Sequence, residues 1–398
     1  MSGLSARERS LGCLFGGAIG DAFGYTVEFS DIQSIKERFG ESGLQEPVPF
    51  EGRYRISDDT QMTLLTADGL LTGETRFCCR GIASSPADYA FPKYRMWAKL
   101  QGFKVPGVVH ESWLFSDPYM YARRSPGNTC IMDLCQNGSA ARPGEPRNDS
   151  KGCGGLMRAA PAGIAAHRFL DPDTKAVEWG EETAAATHGH PLGWMTAAMM
   201  AGIVNRIFCG DGLEESVDGS LKACDARYGG SHHMSELSGI VGKALSLAGS
   251  EKDDLECMAE LGYGWVAEET LAMALFACLR HQDDIKGCLR CSVNVTGDSD
   301  SIGSVAGNIL GALLGMDAVG KAFDIGRIEC FDLIETTAED LASGCPTDGL
   351  VLTDDGWEDR YVRCVNPKAS GNRPRQTHRV LPRGIIEQLI KRPAMGVP

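Results

Sequence analysis

The chain has 398 residues, 43% of them hydrophobic, which is enough for one large domain or two ordinary ones. Its formal net charge of −14 argues against nucleic acid or an anionic membrane surface as the main partner. The charge is uneven: from Arg360 to the end, nine Lys or Arg face one acid, a formal +8 that leaves −22 for the rest.

The cysteines favour a reduced, cytoplasmic protein. There are 15 of them, scattered and odd in number, and the charged start MSGLSARERS lacks the apolar region of a secretory signal. Cys288 and Cys291 form an isolated CxxC motif. A zinc site needs two more ligands at a matching spacing, and none is nearby in the sequence, so we expect neither zinc nor redox chemistry there.

The first predicted helix carries a row of glycines. Ser5 and Glu8 form a capping box, and glycine then recurs at every fourth position, at 12, 16, 20 and 24. Residues four apart share one helix face, so this helix presents a nearly bare strip of backbone. Each glycine costs about 1 kcal/mol relative to alanine in a helix interior, unless close approach of another backbone offsets it. Glu28 follows just past this helix.

The next predicted helix, Thr60–Leu71, begins with an acidic motif. Ser57, Asp58 and Asp59 directly precede it. Serine and aspartate are ordinary N-cap residues, but two adjacent carboxylates are more than a cap requires. The following stretch, Thr75–Arg147, is irregular and rich in glycine, proline and aromatic residues, so we expect functional loops there.

Two further motifs lie in the middle of the chain. The loop NDSKGCGGLMRAAPAG, residues 148–163, contains Ser150, Gly152 and Gly154, and its exposed backbone N–H groups ahead of a helix suit an anion. The motif AATHGHPLGW contains a pair of histidines that resembles a zinc motif. Because carboxylate clusters elsewhere make zinc unnecessary, packing or substrate contact is the better interpretation of His188.

Apolar residues at helical spacing predict four more helices, Gly193–Phe208, Leu237–Leu247, Trp265–Arg280 and Asp283–Ser292. A second row of glycines then follows, at 303, 307, 311 and 315, directly after Asp298, Asp300 and Ser301. This apolar stretch is too short to span a membrane, which takes about twenty residues. We infer two central glycine helices packed at short distance, and consider that they pack against each other.

The two acidic motifs share one pattern of two carboxylates and a hydroxyl at a helix start. Adjacent carboxylates raise each other's pKa unless a cation neutralises them. Carboxylate and hydroxyl oxygens suit a hard divalent ion such as Mg²⁺ or Mn²⁺, so two such clusters predict two ions side by side. Glu28 is a candidate fifth carboxylate. The alternative is two unrelated capping sites.

The expected fold is all-α, a compact helical bundle around the glycine helices with the chemistry at helix N-termini. We place one domain at residues 1–345 and a C-terminal extension at 346–398. In the extension, Gly349–Val365 is read as a small hairpin, followed by a basic linker and a short amphipathic segment, GIIEQLIK. Composition alone favours a disordered or loosely docked extension.

Five motifs occur in a characteristic order: GxxxGDAxG with a following Glu, then SDDT, GCGGLMR, THGHP and GDSDS. In this order they resemble the ADP-ribosylglycohydrolases, the group that includes the dinitrogenase-reductase-activating glycohydrolases, over roughly Leu4 to Leu341. The resemblance implies an orthogonal all-α bundle with a dinuclear Mg²⁺ or Mn²⁺ centre. Carried over by position, the implied metal ligands are Ser57, Asp58, Asp59, Asp298, Asp300 and Ser301.

The resemblance also assigns roles in catalysis and substrate binding. Glu28, Asp58, Asp59 and Asp300 carry catalysis, with Glu28 as base or water-positioning group. Ser150, Gly152 and Gly154 fall where the family holds the pyrophosphate of ADP-ribose, and His188 falls where it lines the ADP-ribose cleft. Many members have threonine where this chain has Ser57 and Ser301. Serine supplies the same oxygen from a freer rotamer, which affects metal affinity rather than function.

The implied activity is hydrolysis of the bond between ADP-ribose and a protein side chain, by a protein that we expect to be monomeric. Arginine is the favoured linkage, because Glu28 follows Asp21 by seven residues without an insertion, as in the arginine-directed branch. The alternatives are a serine-linked or small-molecule ADP-ribose conjugate as substrate. An alternative of another class is a non-catalytic ADP-ribose binder or a structural, crystallin-like descendant.

Overall fold

A computed structural model describes residues 3–107 and 109–365 of the chain. In that part the protein is almost entirely helical, as predicted, with four short 3₁₀ turns and one small hairpin. The helices are α1 Ala6–Tyr25, α2 Ile32–Phe39, α3 Asp58–Arg80, α4 Pro86–Leu100, α5 Asn128–Gln136, α6 Ala160–Ala166, α7 Pro172–Ala185, α8 Pro191–Cys209, α9 Leu213–Tyr228, α10 His232–Ala248, α11 Asp254–Leu261, α12 Ala267–Arg280, α13 Ile285–Val293, α14 Ser299–Leu314, α15 Met316–Ala322, α16 Phe331–Ser343 and α17 Asp355–Tyr361.

The two glycine helices, α1 and α14, pack against each other along their bare strips. A Cβ atom added at Gly16 would lie 2.3 Å from the carbonyl oxygen of Gly307. One added at Gly20 would lie 2.0 Å from the carbonyl oxygen of Gly303. Because residue numbers rise in α1 as they fall in α14, the helices are antiparallel, and the close approach inferred from the spacing is confirmed.

The antiparallel arrangement decides where the acidic motifs lie. At its C-terminal end, α1 meets the N-terminal end of α14: a Cβ atom at Gly24 would stand 2.3 Å from the carbonyl oxygen of Ser299. Glu28, just past α1, and Asp298, just before α14, are thereby carried to the same end of the helix pair. The glycines therefore fix the position of the chemistry as well as the packing.

The five helices predicted from periodicity are all present, within about ten residues at their ends. The largest difference is α3, which begins at Asp58 and continues nine residues beyond the predicted Leu71, to Arg80. Gly81, which adopts a left-handed conformation with φ of 63°, ends it. Gly69 in this helix faces Ala90 of α4 so closely that a Cβ atom there would lie 2.6 Å from the Ala90 Cα.

The stretch Thr75–Arg147 is less irregular than predicted. It contains the end of α3, the whole of α4 and α5, and two 3₁₀ turns. Ser85 caps α4 and Pro86 occupies its first turn, where proline is tolerated, while Pro92 lies inside the helix. Tyr94 and Trp97 of α4 are fully buried, so tertiary packing outweighs the proline that obscured this helix in the sequence.

The structure does not form the small hairpin that the sequence predicts over Gly349–Val365. Two-residue strands, β1 Thr347–Asp348 and β2 Val351–Leu352, pair antiparallel, and the rest forms α17. Asp354 caps α17 by accepting from the backbone N–H of Trp357 at 2.6 Å. Trp357 and Tyr361, four residues apart, are buried on one helix face. The segment GIIEQLIK lies outside the described residues.

One described helix, α8, has the length and hydropathy that crossing a membrane would take. Of the window that meets this test, 78% is buried inside the fold, and a buried core helix of a globular protein gives the same signal. Within the fold α8 packs against α6, α7 and α9.

Candidate metal centre and substrate cleft

The start of α3 is fixed by a residue of the first glycine helix. Asp21, fully buried on α1, accepts hydrogen bonds from the backbone N–H groups of Ser57 at 3.0 Å and Thr60 at 3.1 Å, and from the Thr60 hydroxyl. This carboxylate caps α3 from another element, so it sets the position of Asp58 and Asp59 relative to α1. Sequence reasoning assigned no role to Asp21.

The start of α14 is fixed by a glycine with unusual backbone geometry. Gly297 has a φ of 137°, and a Cβ atom there would lie 1.9 Å from the carbonyl oxygen of Tyr263. That same oxygen accepts a hydrogen bond from the backbone N–H of Asp298 at 2.9 Å. Burial raises the pKa of Asp298 well above its usual value, and the charge of the neighbouring Asp300 raises it further.

The structure brings together all six residues that the resemblance assigns as metal ligands. The Ser301 hydroxyl of α14 lies 3.4 Å from Asp59 Oδ2 of α3, and the Ser57 hydroxyl lies 3.5 Å from the same oxygen. Each of the six is at most 5% exposed. We call the group formed by these six residues and Asp21 the carboxylate centre.

Negative charge is concentrated in the carboxylate centre without basic partners. Burial raises the pKa of Asp59 well above its usual value, and the charges of Asp300, Asp21, Asp58 and Asp298 raise it further. Burial and the charge of Asp300 likewise raise the pKa of Asp21 to about 7. In the described part of the chain, no lysine or arginine forms an ion pair with any of these five acids.

A divalent cation fits this donor set. Asp59 Oδ1 is buried and has no hydrogen-bond partner, which is costly for a carboxylate oxygen unless a cation contacts it. The available donors are carboxylate and hydroxyl oxygens, which hard divalent ions prefer. Asp58 Oδ2 accepts from the backbone N–H of Gly127 at 3.1 Å, so its side chain is held from outside the centre as well.

A second group of side chains, distinct from the carboxylate centre, also brings potential metal ligands close together. Asp254, His281 and Cys291 place their donor atoms within 4.8 Å of one another, so Cys291 has neighbours that its sequence spacing did not reveal. Asp254 is already neutralised: Oδ1 accepts from Arg280 Nε at 2.9 Å, and Oδ2 lies 2.8 Å from His281 Nε2. Unlike the carboxylate centre, this group balances its charge with the chain's own side chains.

Glu28 lies half-buried at the edge of the carboxylate centre. Burial raises its pKa to about 9, with the charges of Asp300, Asp58 and Asp21 adding to the effect and a hydrogen bond from Ser125 opposing it. Without cations, then, Glu28 holds its proton at neutral pH. Neutralising the aspartates would lower this pKa and allow the group to exchange a proton.

The glycine-rich loop predicted to bind an anion lies beside the THGHP motif. Asn148 joins the two, accepting from the backbone N–H groups of Ser150 and Gly189, both at 3.0 Å, and donating to Thr187 O at 2.8 Å. A Cβ atom at Gly154 would lie 3.2 Å from His188 Cε1 and 3.1 Å from a cysteine sulfur, so the loop runs directly over the histidine ring.

His188 is held in one orientation by a buried arginine. Arg158 donates to Thr187 Oγ1 at 2.7 Å, and Thr187 Oγ1 lies 2.9 Å from His188 Nδ1. Burial and the charge of Arg158 lower the pKa of His188 to about 3, so the ring is neutral. Thr187 Oγ1 and His188 Nδ1 share a hydrogen bond, and the other ring nitrogen, Nε2, lies toward Gly152 and Gly154.

The loop also brings a thiol to the carboxylate centre. Cys153 Sγ lies 2.8 Å from Asp298 Oδ2 and 3.6 Å from Ser301 Oγ. Sequence reasoning did not single out this cysteine, since it appeared only as the variable position of a glycine motif. Its only signal was its place between two glycines of a loop already expected to bind ligand.

An exposed aromatic pair borders the same region. Phe29, next to Glu28, stacks on Trp265 with ring centroids 5.4 Å apart and an interplanar angle of 14°. Phe29 is 70% exposed and Trp265 41% exposed. Trp265 directly precedes Val266, which pairs with Gly152 of the glycine loop. The pair therefore connects the Glu28 side of the centre with the loop side.

Comparison with known proteins gives a consistent result. The family model described as ADP-ribosylglycohydrolase matches residues 2–350. The chain is 26% identical over 330 residues to ADP-ribosyl-[dinitrogen reductase] glycohydrolase from Rhodospirillum rubrum, covering 80% of this chain and 90% of that protein. It is 27% identical over 352 residues to human ADP-ribosylhydrolase ARH3, covering 79% and 88%.

Two further similarities agree with these. An uncharacterized protein of Escherichia coli, YegU, is 26% identical over 333 residues, covering 79% of this chain and 90% of that protein. A solved structure described as an ADP-ribosylglycohydrolase-related protein complex aligns with a TM-score of 0.52 at 20% identity, over 85% of this chain and 98% of that one, which supports the fold. The chain belongs to the ADP-ribosylglycohydrolase family, whose members are hydrolases acting on ADP-ribose conjugates.

Proposed function

We propose that this protein hydrolyses the glycosidic bond between ADP-ribose and a protein side chain, with arginine as the preferred linkage. The reaction uses two divalent cations, Mg²⁺ or Mn²⁺, held by Ser57, Asp58, Asp59, Asp298, Asp300 and Ser301. The observation that carries the proposal is the carboxylate centre, in which five buried aspartates lack basic partners among the described residues. Metal dependence is a property of the family.

The rest of the cleft suits a substrate with two phosphate charges. Because the acidic body repels such a ligand, its phosphates need cations and N–H donors. Ser150, Gly152 and Gly154 supply the loop for the pyrophosphate, and His188 adds a neutral ring whose Nε2 atom lies toward that loop. A neutral ring is favourable here, since it needs no counter-charge in a buried position.

Bound cations would polarise the ribose hydroxyls and lower the pKa of water. The chain's own contribution to the chemical step is a proton-exchanging carboxyl at Glu28. Burial raises the pKa of this carboxyl, and a hydrogen bond from Ser125 opposes that effect. In this proposal Glu28 takes the proton of the attacking water, a role that requires the cations to lower its raised pKa.

Two features favour arginine as the leaving side chain. Glu28 follows Asp21 without an insertion, as in the arginine-directed branch of the family. The exposed pair Phe29 and Trp265 offers an aromatic face beside Glu28, and guanidinium groups stack on such faces.

An acidic rim within Thr75–Arg147 is less well supported as a binding site for the guanidinium. Among its acids are Asp88, Glu111, Asp117 and Asp133. Asp88 pairs with Arg142 at 2.5 Å, and Asp133 pairs with Arg147 at 3.5 Å. Asp117 caps the second 3₁₀ turn through the backbone N–H of Tyr119. Three of the four acids already have partners, so the arginine preference depends on Glu28 and the aromatic pair.

The test is a release assay on defined peptides. Arginine-ADP-ribosylated and serine-ADP-ribosylated peptides are supplied at equal concentration, with Mg²⁺, with Mn²⁺ or with chelator, and free ADP-ribose is measured by mass spectrometry. We expect cation-dependent release from the arginine peptide. Release from the serine peptide alone would overturn the linkage but retain the hydrolase. Binding of ADP-ribose without release from either peptide would favour a non-catalytic reader.

A further inference from the structure

Cys153 is a soft donor in a centre otherwise built from hard ones. Its Sγ atom lies 2.8 Å from Asp298 Oδ2 and 3.6 Å from the Ser301 hydroxyl, and both residues belong to the carboxylate centre. The cysteine is half-buried on the 3₁₀ turn Cys153–Gly155, directly after Gly152 of the glycine-rich loop. The sulfur thus lies where the loop meets the metal ligands.

A second observation in the centre indicates that a cation belongs beside this thiol. Asp59 is 2% exposed, and its Oδ1 has no hydrogen-bond partner. Its other oxygen, Oδ2, lies 3.4 Å from the Ser301 hydroxyl, which in turn contacts the Cys153 sulfur. Asp59, Ser301, Asp298 and Cys153 are therefore linked by direct contacts that join three different elements, α3, α14 and the glycine-rich loop.

Sulfur changes which ion a site prefers. Mg²⁺ takes oxygen ligands almost exclusively, whereas thiolate ligands favour later and softer divalent ions such as Zn²⁺, Co²⁺ and Cd²⁺. A serine hydroxyl at this position would leave an all-oxygen site. A thiol gives the centre one donor that discriminates between the two classes of ion.

We propose that Cys153 is a ligand of the metal centre, which makes this protein bind thiophilic divalent cations more tightly than Mg²⁺. On coordination the S–H bond breaks, the sulfur keeps the electron pair and donates it to the cation, and the proton leaves to solvent. This inference rests on the proposed metal centre and extends it to the choice of ion.

The thiol contact with Asp298 has an alternative explanation, a simple S–H···O hydrogen bond that orients the carboxylate. The two explanations differ in an observable property. A thiolate bound to Co²⁺ or Cd²⁺ produces a ligand-to-metal charge-transfer absorption in the ultraviolet, whereas a thiol that only donates a hydrogen bond does not.

The experiment titrates the full chain, stripped of metal by a chelator, with Cd²⁺ and separately with Co²⁺ and Mg²⁺. Wild type, Cys153→Ser and Cys291→Ser are compared by ultraviolet absorption and calorimetry. Cys291→Ser is the matched control, because it removes the thiol of the Asp254–His281–Cys291 group. We expect the charge-transfer band in wild type and Cys291→Ser and its loss in Cys153→Ser.

In the same titration, Cd²⁺ affinity should fall by about 10- to 100-fold in Cys153→Ser while Mg²⁺ affinity stays within a few-fold. An unchanged band and unchanged Cd²⁺ affinity in Cys153→Ser would overturn the inference, as would loss of the band in Cys291→Ser alone. Failure of the proposed function looks different: neither Mg²⁺ nor Mn²⁺ would bind wild type, and no peptide would release ADP-ribose.

A measurement on wild type alone covers the case in which Cys153→Ser does not fold. The protein is treated with iodoacetamide with and without Cd²⁺, and the alkylation of each cysteine is followed by mass spectrometry. Cys209, which is exposed on α8, is the internal control. We expect Cd²⁺ to slow alkylation of Cys153 and to leave Cys209 unchanged. Equal alkylation of Cys153 with and without Cd²⁺ contradicts the ligand role.

Discussion

The carbonyl oxygen of Gly307 lies 2.3 Å from the point where a side chain at Gly16 would begin. There is no room for a Cβ atom at that distance. The backbones of α1 and α14 are therefore in direct contact, which is possible only because glycine has no side chain. The same relation holds in reverse, since a Cβ atom at Gly307 would stand 2.1 Å from the carbonyl oxygen of Gly16.

Substitution at these glycines should be severely destabilising. Gly16→Leu or Gly307→Leu should cost well over the ~1–3 kcal/mol of ordinary overpacking, because the obstacle is backbone that cannot rotate away. Thermal melts followed by far-ultraviolet circular dichroism measure this. The matched control is Gly239→Ala on α10, where a Cβ atom would meet nothing within 4 Å.

That control should be neutral or stabilising by up to about 1 kcal/mol, since alanine is the better helix former. If Gly16→Leu and Gly307→Leu melt at the wild-type temperature, the glycine strips are not the contact between the helices.

The glycine strips could be predicted because their signal is local and periodic. Four glycines at a spacing of four residues imply that another backbone approaches the helix closely, whichever element supplies it. The presence of two such helices in one chain suggests that they pack against each other. Asp21 could not be predicted in the same way. It lies in one of the two glycine helices but off the glycine strip, and its role as the cap of α3 depends on a contact with Ser57, 36 residues away.

Two helices that the sequence did not predict, α4 and α17, have a similar explanation. In α4, Pro92 and the aromatic residues around it argue against a helix in the sequence. The burial of Tyr94 and Trp97, which stabilises this helix, is evident only in the structure. In α17, the period-four pair Trp357 and Tyr361 was outweighed by apparent strand alternation. Short segments carry few periods, so tertiary contacts decide between helix and strand there.

Neutralising one carboxylate should separate stability from activity. Asp300 raises the pKa of Asp21, Asp58, Asp59 and Asp298 through its charge. Asp300→Asn should therefore raise the melting temperature of the metal-free protein, because it removes a repulsive charge while the new side chain keeps nearly the same shape. Turnover should fall by about 100-fold or more, because a metal ligand is lost.

The comparison variant for this prediction is Asp283→Asn, which removes one exposed acid near the start of α13. It should alter neither the melting temperature nor the release of ADP-ribose. Calorimetric titration with Mn²⁺ provides the third measurement. Full activity and unchanged Mn²⁺ binding in Asp300→Asn would exclude that residue from the metal centre.

The raised pKa values predict how pH affects the stability of the metal-free protein. Asp21 has a folded pKa of about 7 and Glu28 of about 9, against ordinary values of 3.8 and 4.5. The folded protein holds protons that the unfolded chain has released, so stability falls as pH rises from the ordinary pKa values through the folded ones. For Asp21 alone the difference corresponds to about 4 kcal/mol as an upper estimate.

The window from about pH 7.5 to 8.5 isolates this effect, because His188, with a folded pKa of about 3 and an ordinary unfolded pKa of about 6.5, is almost fully neutral there in both states. Chemical denaturation at several pH values should show falling stability without metal and a flatter profile with Mn²⁺. Glu28→Gln should flatten the metal-free profile as well. A metal-free stability that rises across this window contradicts the charge arrangement.

The aromatic pair should affect substrate binding selectively. Trp265→Ala removes one face of the stack with Phe29. A cation over an aromatic ring is worth about 0.5–2 kcal/mol, so KM for the arginine peptide should rise by roughly 2- to 30-fold with little change in kcat. KM for a serine peptide should not change in proportion.

The matched control for the aromatic pair is Phe77→Ala, a 51% exposed aromatic residue near the end of α3. It should leave both KM values at the wild-type level. An equal rise in KM for both peptides upon Trp265→Ala would place the pair at the ADP-ribose moiety rather than at the leaving side chain.

The boundary of the folded unit can be tested by truncation. The sequence placed it at residue 345, but the described part of the extension packs onto the body. Trp357 is 2% exposed and donates through Nε1 to Thr75 Oγ1 of α3 at 2.8 Å. Asp340 of α16 accepts from Arg360 Nε and from the Tyr361 hydroxyl, both at 2.7 Å.

A chain ending at Cys345 should therefore be destabilised by several kcal/mol, since removing one large buried aromatic residue alone costs about 3–5 kcal/mol. A chain ending at Val365 should melt within a few degrees of the full protein, because it retains the contacts of α17 with the rest of the described chain. Trp357→Ala in the full chain should reproduce most of the loss seen at Cys345. Equal melting temperatures for the two truncated chains would place the boundary at 345 and show that α17 does not contribute to the stability of the folded domain.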